Sequence, residues 1–174
     1  GSGEILVETL YGLISPGTEL AMFTQTHIGF PIPEFSYAKY PFFPGYASVG
    51  RAVLIGEGVD KIQKGDTVFL RGKHASHALV SADRPALKVP EGLPLEHVPF
   101  ACLAQISLTA VRLSDMSVGD PVVVLGAGPI GLLCLQVAKA AGAGTVVVSE
   151  PSATRAEAAR KLGADEVIDP TAEN

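Results

Sequence analysis

Hydrophobic positions follow two regimes along the chain. Up to about residue 90 they come in short β-branched or aromatic runs separated by glycine, proline and acidic turns. The spacing predicts strands over 4–13, 44–56, 67–70, 78–81 and 86–89, with a turn over 59–66. Between the first two, Pro16-Gly17 bends the chain, and Ser15 or Thr18 ahead of Glu19-Leu20-Ala21-Met22-Phe23 starts a short helix. Residues 24–43 show no period and predict a long irregular loop, either a connection or a loop lining a site. Several short strands at this spacing predict a small barrel.

After about residue 95 the blocks lengthen. An apolar helical stretch over 95–116 leads to the β-branched run 122–125, a glycine turn, a helix, and a second β-branched run at 145–149. A helix follows, begun at Ser152 and stopped by Gly163, and then a short strand at 166–169. Strand alternating with helix predicts a parallel sheet covered by helices. The fold class is therefore α/β, with a barrel region over 1–100 and a region over 101–174 holding strands one to three of a doubly wound sheet.

The turn between 122–125 and the next helix reads Gly126-Ala127-Gly128-Pro129-Ile130-Gly131, and the following strand ends in Glu150. Strand, G-x-G-x-x-G turn, helix, second strand and terminal acid together form a dinucleotide-binding fingerprint; the glycine pattern alone would be weak. Gly126 permits the turn, Gly128 lets bare backbone approach a pyrophosphate, and Gly131 lets the helix lie close. Pro129 suits a first helical turn, whose free amides face the anion. Glu150 is placed to accept the ribose hydroxyls of NAD, or is a solvated strand-end carboxylate. Arg155 nearby keeps NADP open, since an arginine there can pair a 2′-phosphate.

Composition narrows the partners. The net charge of −5, without a basic stripe, argues against nucleic acid. No apolar run reaches the length of a membrane span, and a cytoplasmic location is expected. Cys102 and Cys134 lack C-x-x-C spacing and read as buried thiols of a reducing compartment. His74 and His77, three apart on an extended segment, point to opposite faces and are expected to be solvated or core residues rather than metal ligands.

With these landmarks in order, the chain resembles the medium-chain dehydrogenase/reductase superfamily of alcohol dehydrogenase-like enzymes. The resemblance is carried by Ile14-Ser15-Pro16-Gly17-Thr18-Glu19-Leu20, Pro44-Gly45-Tyr46-Ala47-Ser48-Val49-Gly50, Lys64-Gly65-Asp66-Thr67-Val68, Val89-Pro90-Glu91-Gly92-Leu93 and the 126–150 unit. It implies a GroES-like barrel joined to an NAD(P)-binding Rossmann domain, and hydride transfer between a nicotinamide and a small alcohol, carbonyl or activated alkene. Three departures bear on zinc. Pro16 stands where zinc-dependent members carry a cysteine, Tyr46-Ala47 where they carry His-Glu, and the four-cysteine lobe has no counterpart. A zinc-free branch is therefore expected, with no metal site. By position, Thr18 matches the family's proton-relay hydroxyl and Tyr46 faces the substrate, so these two are the expected catalytic donors. Their alternatives are a helix cap and a barrel-mouth filler.

Members of this superfamily continue through strands four to six and begin with one more hairpin. The chain thus reads as a fragment of a longer enzyme or half of a split assembly. Strand 122–125 would then keep an open edge, covered by self-association or by a complementing chain. The competing function class is a noncatalytic nucleotide-binding or protein-interaction module completed by such a partner.

Overall fold

The computed structural model describes residues 1–35, 37–81 and 86–172; Ser36, in the expected long loop, lies outside the described residues. The chain divides into two compact units, Gly1–Phe100 and Ala101–Asn174. No described helix is long and apolar enough to cross a membrane.

The first unit is a five-stranded antiparallel sheet in the order β4-β1-β2-β3-β5, formed by β1 (Glu4–Gly12), β2 (Ser48–Ile55), β3 (Thr67–Leu70), β4 (His77–Ser81) and β5 (Ala86–Lys88). Strand alternation sets its core: Ile5 and Val7 of β1, Ala52 of β2, and Val68 and Leu70 of β3 turn inward, joined by Ile62. Two register shifts, between Leu6 and Val7 and between Thr9 and Tyr11, interrupt the β1–β2 ladder. Such irregularities bend and twist a strand. The expected barrel is realised as a curled half-barrel, with β4 and β5 as its two edges among the described residues.

Helix α1 (Pro16–Phe23) leaves β1 through Ser15. Of the two starts that the sequence allows, Ser15 takes the cap position, and Thr18 lies inside the first turn. The cap works in reverse of the usual sense: the Ser15 side chain makes no capping bond, while Glu19 Oε1 accepts the Ser15 N–H at 2.9 Å. At the other end, the Tyr40 hydroxyl donates to the carbonyls of Met22 and Phe23, tying the 24–43 loop to the helix. A 3-10 segment, Leu95–Phe100, closes the unit; the single helix expected over 95–116 is broken into this piece and α2, and Pro99 sits inside the piece.

The second unit opens with α2 (Ala101–Leu113) and then alternates β6 (Pro121–Leu125), α3 (Pro129–Ala140), β7 (Thr145–Ser149), α4 (Ala153–Lys161) and β8 (Glu166–Ile168). The strands are parallel in the order β6-β7-β8, as the first half of a doubly wound sheet requires. Val124, Val146 and Val148 pack against Leu135, Ala138 and Ala159 of the covering helices. The fully buried Ser107 of α2 donates to the Ile130 carbonyl at 3.1 Å, anchoring the first turn of α3. Strands this apolar are of the kind buried on both faces in parallel sheets, and here Val123 is 61% and Leu125 82% exposed.

Gly131 shows why α3 can start where it does, because a Cβ at this position would run into the Gly126 carbonyl and touch Val124 Cγ1 at 3.5 Å. The contact is made first with the turn and only second with the sheet. Gly131→Ala is accordingly expected to lower stability by about 1–3 kcal/mol through overpacking, read as a reduced urea midpoint with an unchanged m-value.

Candidate functional site

At the end of β6 the chain reverses through Gly126, whose φ of 92° is open to glycine and strained for other residues. Ala127 is buried, and Gly128 is the N-cap of α3 with Pro129 following it. A side chain at Gly128 would meet nothing within 4 Å. The outer side of the turn is thus bare backbone, backed by first-turn amides that a helix leaves without partners. Pro129 lacks an N–H and removes none of those in use.

Glu150 stands one residue beyond β7 and is 3% exposed. Its Oε2 accepts the Ala127 N–H at 2.8 Å; its Oε1 accepts the Ser152 N–H at 2.8 Å and a bond from Arg155 Nη2 at 2.7 Å. The carboxylate therefore joins the glycine turn, the end of β7 and the start of α4. The Arg155 guanidinium, with the two amides, holds its carboxyl down to about 2 from an ordinary 4.5, against the opposing effect of burial. The solvated strand-end alternative for Glu150 does not survive this geometry. Arg155, the residue that kept NADP open, is bonded to Glu150 here. A carboxylate offers about four lone-pair sites, so three bonds leave capacity for a ribose hydroxyl.

A cavity of about 410 Å³ opens beside this carboxylate. Pro151, Val167 and Ile168 give it apolar walls, and Glu157, Asp169 and Arg160 give it charge. With Glu150 included, acids outnumber bases on its lining, a field that disfavours an added phosphate.

In the first unit, Thr18 is exposed on α1 and Tyr46 is half-buried two residues before β2. Neither lines the cavity of about 450 Å³ found there, which is bounded by Ile14, Pro16, Leu20, Phe23, Tyr40, Phe42, Pro44 and one charged residue, Glu19. Glu19 Oε2 lies 2.9 Å from His74 Nε2, across 55 positions of sequence. His74 is exposed, as the sequence allowed, and its imidazole pairs with this carboxylate. The sequence carried one usable signal, since Glu19 follows Thr18 within the same motif. His77 begins β4 and contacts Ser76 Oγ at 3.3 Å. Of the two cysteines, Cys102 is buried as expected and Cys134 half-buried.

The positions where zinc-dependent relatives carry ligands hold Pro16, Tyr46 and Ala47 here. Among the described residues no three His, Cys, Asp or Glu side chains gather as a metal ion would need.

Comparison with known proteins agrees with the architecture. The family described as zinc-binding dehydrogenase matches residues 129–174. The L-threonine 3-dehydrogenase of Pyrococcus horikoshii is 33% identical, the match covering 100% of this chain and 56% of that protein. The (R,R)-butanediol dehydrogenase of Bacillus subtilis is 32% identical over 75% of this chain and 45% of its own length. Among solved structures, a Sinorhizobium meliloti 1021 protein named a zinc-binding dehydrogenase, bound to NADP, superimposes with a TM-score of 0.84 at 25% identity, over 100% of this chain and 56% of that one. The 2R,3R-butanediol dehydrogenase structure from Bacillus subtilis gives 0.81 at 25%, over 99% and 58%. The chain spans little more than half the length of these relatives.

The depressed carboxyl of Glu150 has a definite sign in stability. Between the unfolded carboxyl range and about 2 the unfolded chain binds the extra proton, so stability rises with pH and falls on acidification through that window. Asp66, Asp165 and Asp169 are lowered too and act in the same direction. In urea titrations from pH 6 downward, Glu150→Gln is expected to give a shallower acid loss than wild type, without abolishing it.

Proposed function

We propose that the chain, which is similar to zinc-binding-type, alcohol dehydrogenase-like proteins, supplies the cofactor-binding start and much of the substrate side of an NAD(P)-dependent oxidoreductase. The observation that carries this reading is the bare turn at Gly126–Gly128 opening into α3, with Glu150 tied to its Ala127 amide. In it, the Gly128 and Pro129–Gly131 backbone takes the pyrophosphate at the helix N-terminus. Glu150 takes a ribose hydroxyl, and the cavity walled by Pro151, Val167 and Ile168 takes the adenine. NAD is the favoured cofactor because the acidic lining and the committed Arg155 both work against a 2′-phosphate; NADP is the second choice.

When bound, the nicotinamide exchanges a hydride with the substrate carbon. The relatives named above are dehydrogenases of alcohol-bearing compounds, which favours an alcohol or carbonyl over an activated alkene. No zinc takes part in this proposal, because the ligand positions hold Pro16, Tyr46 and Ala47. Thr18 and Tyr46 then serve as hydroxyl donors to the substrate oxygen, the role that metal-free sites give to hydrogen bonds. A second reading rests on a different observation: with Val123 and Leu125 exposed on β6, that strand is covered by a second copy or a complementing chain. The same surface suits a noncatalytic module.

Three measurements address these points. Gly128→Val places a side chain in open space and should leave the fold intact while weakening NADH binding at least about a hundredfold, roughly 2.7 kcal/mol; equal binding by both proteins overturns the cofactor assignment. Elemental analysis should find no stoichiometric zinc. Light scattering after size exclusion should show an assembly that Val123→Lys dissociates, whereas a dilution-resistant wild-type monomer rejects coverage of β6.

A further inference from the structure

We propose that the loop between α1 and β2 is a strap opened by acid: neutral His27 keeps it folded behind the Tyr40 wall of the first unit's cavity, and a proton on His27 Nδ1 releases it. The sequence leaves residues 24–43 without a period, yet the described part of this loop folds around one glycine. Gly29 is buried, and a Cβ there would press on Phe35 Cδ1 at 2.7 Å, Ala38 Cβ at 2.8 Å and His27 Nδ1 at 3.1 Å. Three parts of the loop meet at this point because it carries no side chain. Successive turns connect them: the Phe30 N–H donates to His27, Ile32 to Gly29, Phe35 to Ile32 and Ala38 to Phe35, each through backbone at 3.0–3.2 Å.

The Gly29 N–H itself goes to a side chain. It donates to His27 Nδ1 at 3.0 Å, an acceptor two residues back, as in the turns that asparagine and aspartate close. Nδ1 is therefore unprotonated, and the neutral ring carries its proton on Nε2, 3.4 Å from the Tyr37 hydroxyl. The ring is edge-on to Tyr37 at 5.4 Å and tilted against Phe35 at 6.3 Å between centroids. No carboxylate among the described residues pairs with it. The imidazole that forms an ion pair is that of His74, and its partner Glu19 is the one charged residue of α1. Glu34 and Lys39, the charged residues of the loop, form no ion pair with His27. An imidazolium here loses an acceptor and gains no anion, since a proton on Nδ1 and the Gly29 N–H would point into the same gap.

Phe30 joins this turn to the cavity. Its ring stacks on Tyr40 at 5.9 Å with the planes 21° apart. Tyr40 lines the cavity, and its hydroxyl holds the last carbonyls of α1, Met22 at 2.7 Å and Phe23 at 3.0 Å. Opening the turn at 27–29 displaces the residue that follows Gly29, and with it the ring that backs Tyr40. The proton acts as a ligand of the open form, in which Nδ1 is released to bind it, and so shifts the population toward that form. Acid thereby loosens one wall of the cavity.

The test follows the whole isotope-labelled polypeptide by NMR, with amide exchange measured at about pH 7.5 and about pH 5, on either side of the histidine range. Relative to unstructured-chain rates, the Gly29 amide should lose protection at least about tenfold at the lower pH, while the Val7 amide of β1 keeps its own. The Phe30 and Tyr40 ring signals should shift with the same midpoint as Gly29. His27→Asn supplies a side-chain oxygen that accepts the same N–H and takes up no proton in this range, so Gly29 should stay protected at both pH values. His27→Ala, without an acceptor, should leave it unprotected at both. Equal protection of wild-type Gly29 at the two pH values overturns the switch, as does its loss in His27→Asn at either pH or its persistence in His27→Ala. A Gly29 response that the Phe30 and Tyr40 rings do not share overturns the link to the cavity. Loss of Val7 protection in step with Gly29 makes the event general unfolding and overturns the strap.

Discussion

The second unit depends on one carboxylate. Glu150 ends β7 and reaches back to the Ala127 amide in the glycine turn, so that the β6–α3 junction and the β7–α4 junction become a single hydrogen-bonded object. The ladder runs up to the same place: the Gly126 N–H donates to Ser149, and the Glu150 N–H to Ile168. A charge this buried persists because it is met by two amides and a guanidinium. The turn is thereby stiffened from behind while its front stays bare, the condition under which backbone amides bind an anion without first being reorganised.

The first unit uses the same device with different parts. Glu19 takes the amide that begins α1 with one oxygen and the His74 imidazole with the other, so a helix start and the segment between β3 and β4 converge on one carboxylate. In both units, then, a carboxylate is held by a backbone amide from another part of its own unit or turn. This arrangement fixes direction as well as position, since each carboxylate keeps only the lone pairs that its neighbours leave.

Much of the architecture was legible because it rests on local chemistry. The β-branched runs, the turn at Gly126 and the stop at Gly163 each depend on residues within a few positions, and the structure places strands and helices accordingly. What escaped the sequence was pairing at a distance. Nothing near His74 announces Glu19, because helix α1 and the β3–β4 segment meet only after the sheet forms. Thr18 drew attention as a hydroxyl of the right type, whereas the neighbouring acid is the residue that faces the cavity. Glu150 was found by spacing, but its bond to Ala127 depends on side-chain direction, which spacing does not encode. Val123 and Leu125 are exposed on the strand whose open edge the sequence had led one to expect, but composition reports what a strand is built to bury and not what covers it.

The strand order carries a consequence for how the chain acquires its shape. In the first unit β1 pairs with β4 through Glu4 and Ser81, which stand at nearly opposite ends of that unit. In the second, each parallel pair is joined by one helix, and all three strands fall within residues 121–168. Loop closure is therefore long in the first unit and short in the second, and contact order ranks their folding speeds in that sense. On the ribosome, β1 emerges ahead of β2 to β5 and waits for residue 81 before its outer partner exists. Until then its inward-facing Ile5 and Val7 lack the neighbours that β4 brings, and this segment is one that a chaperone would protect.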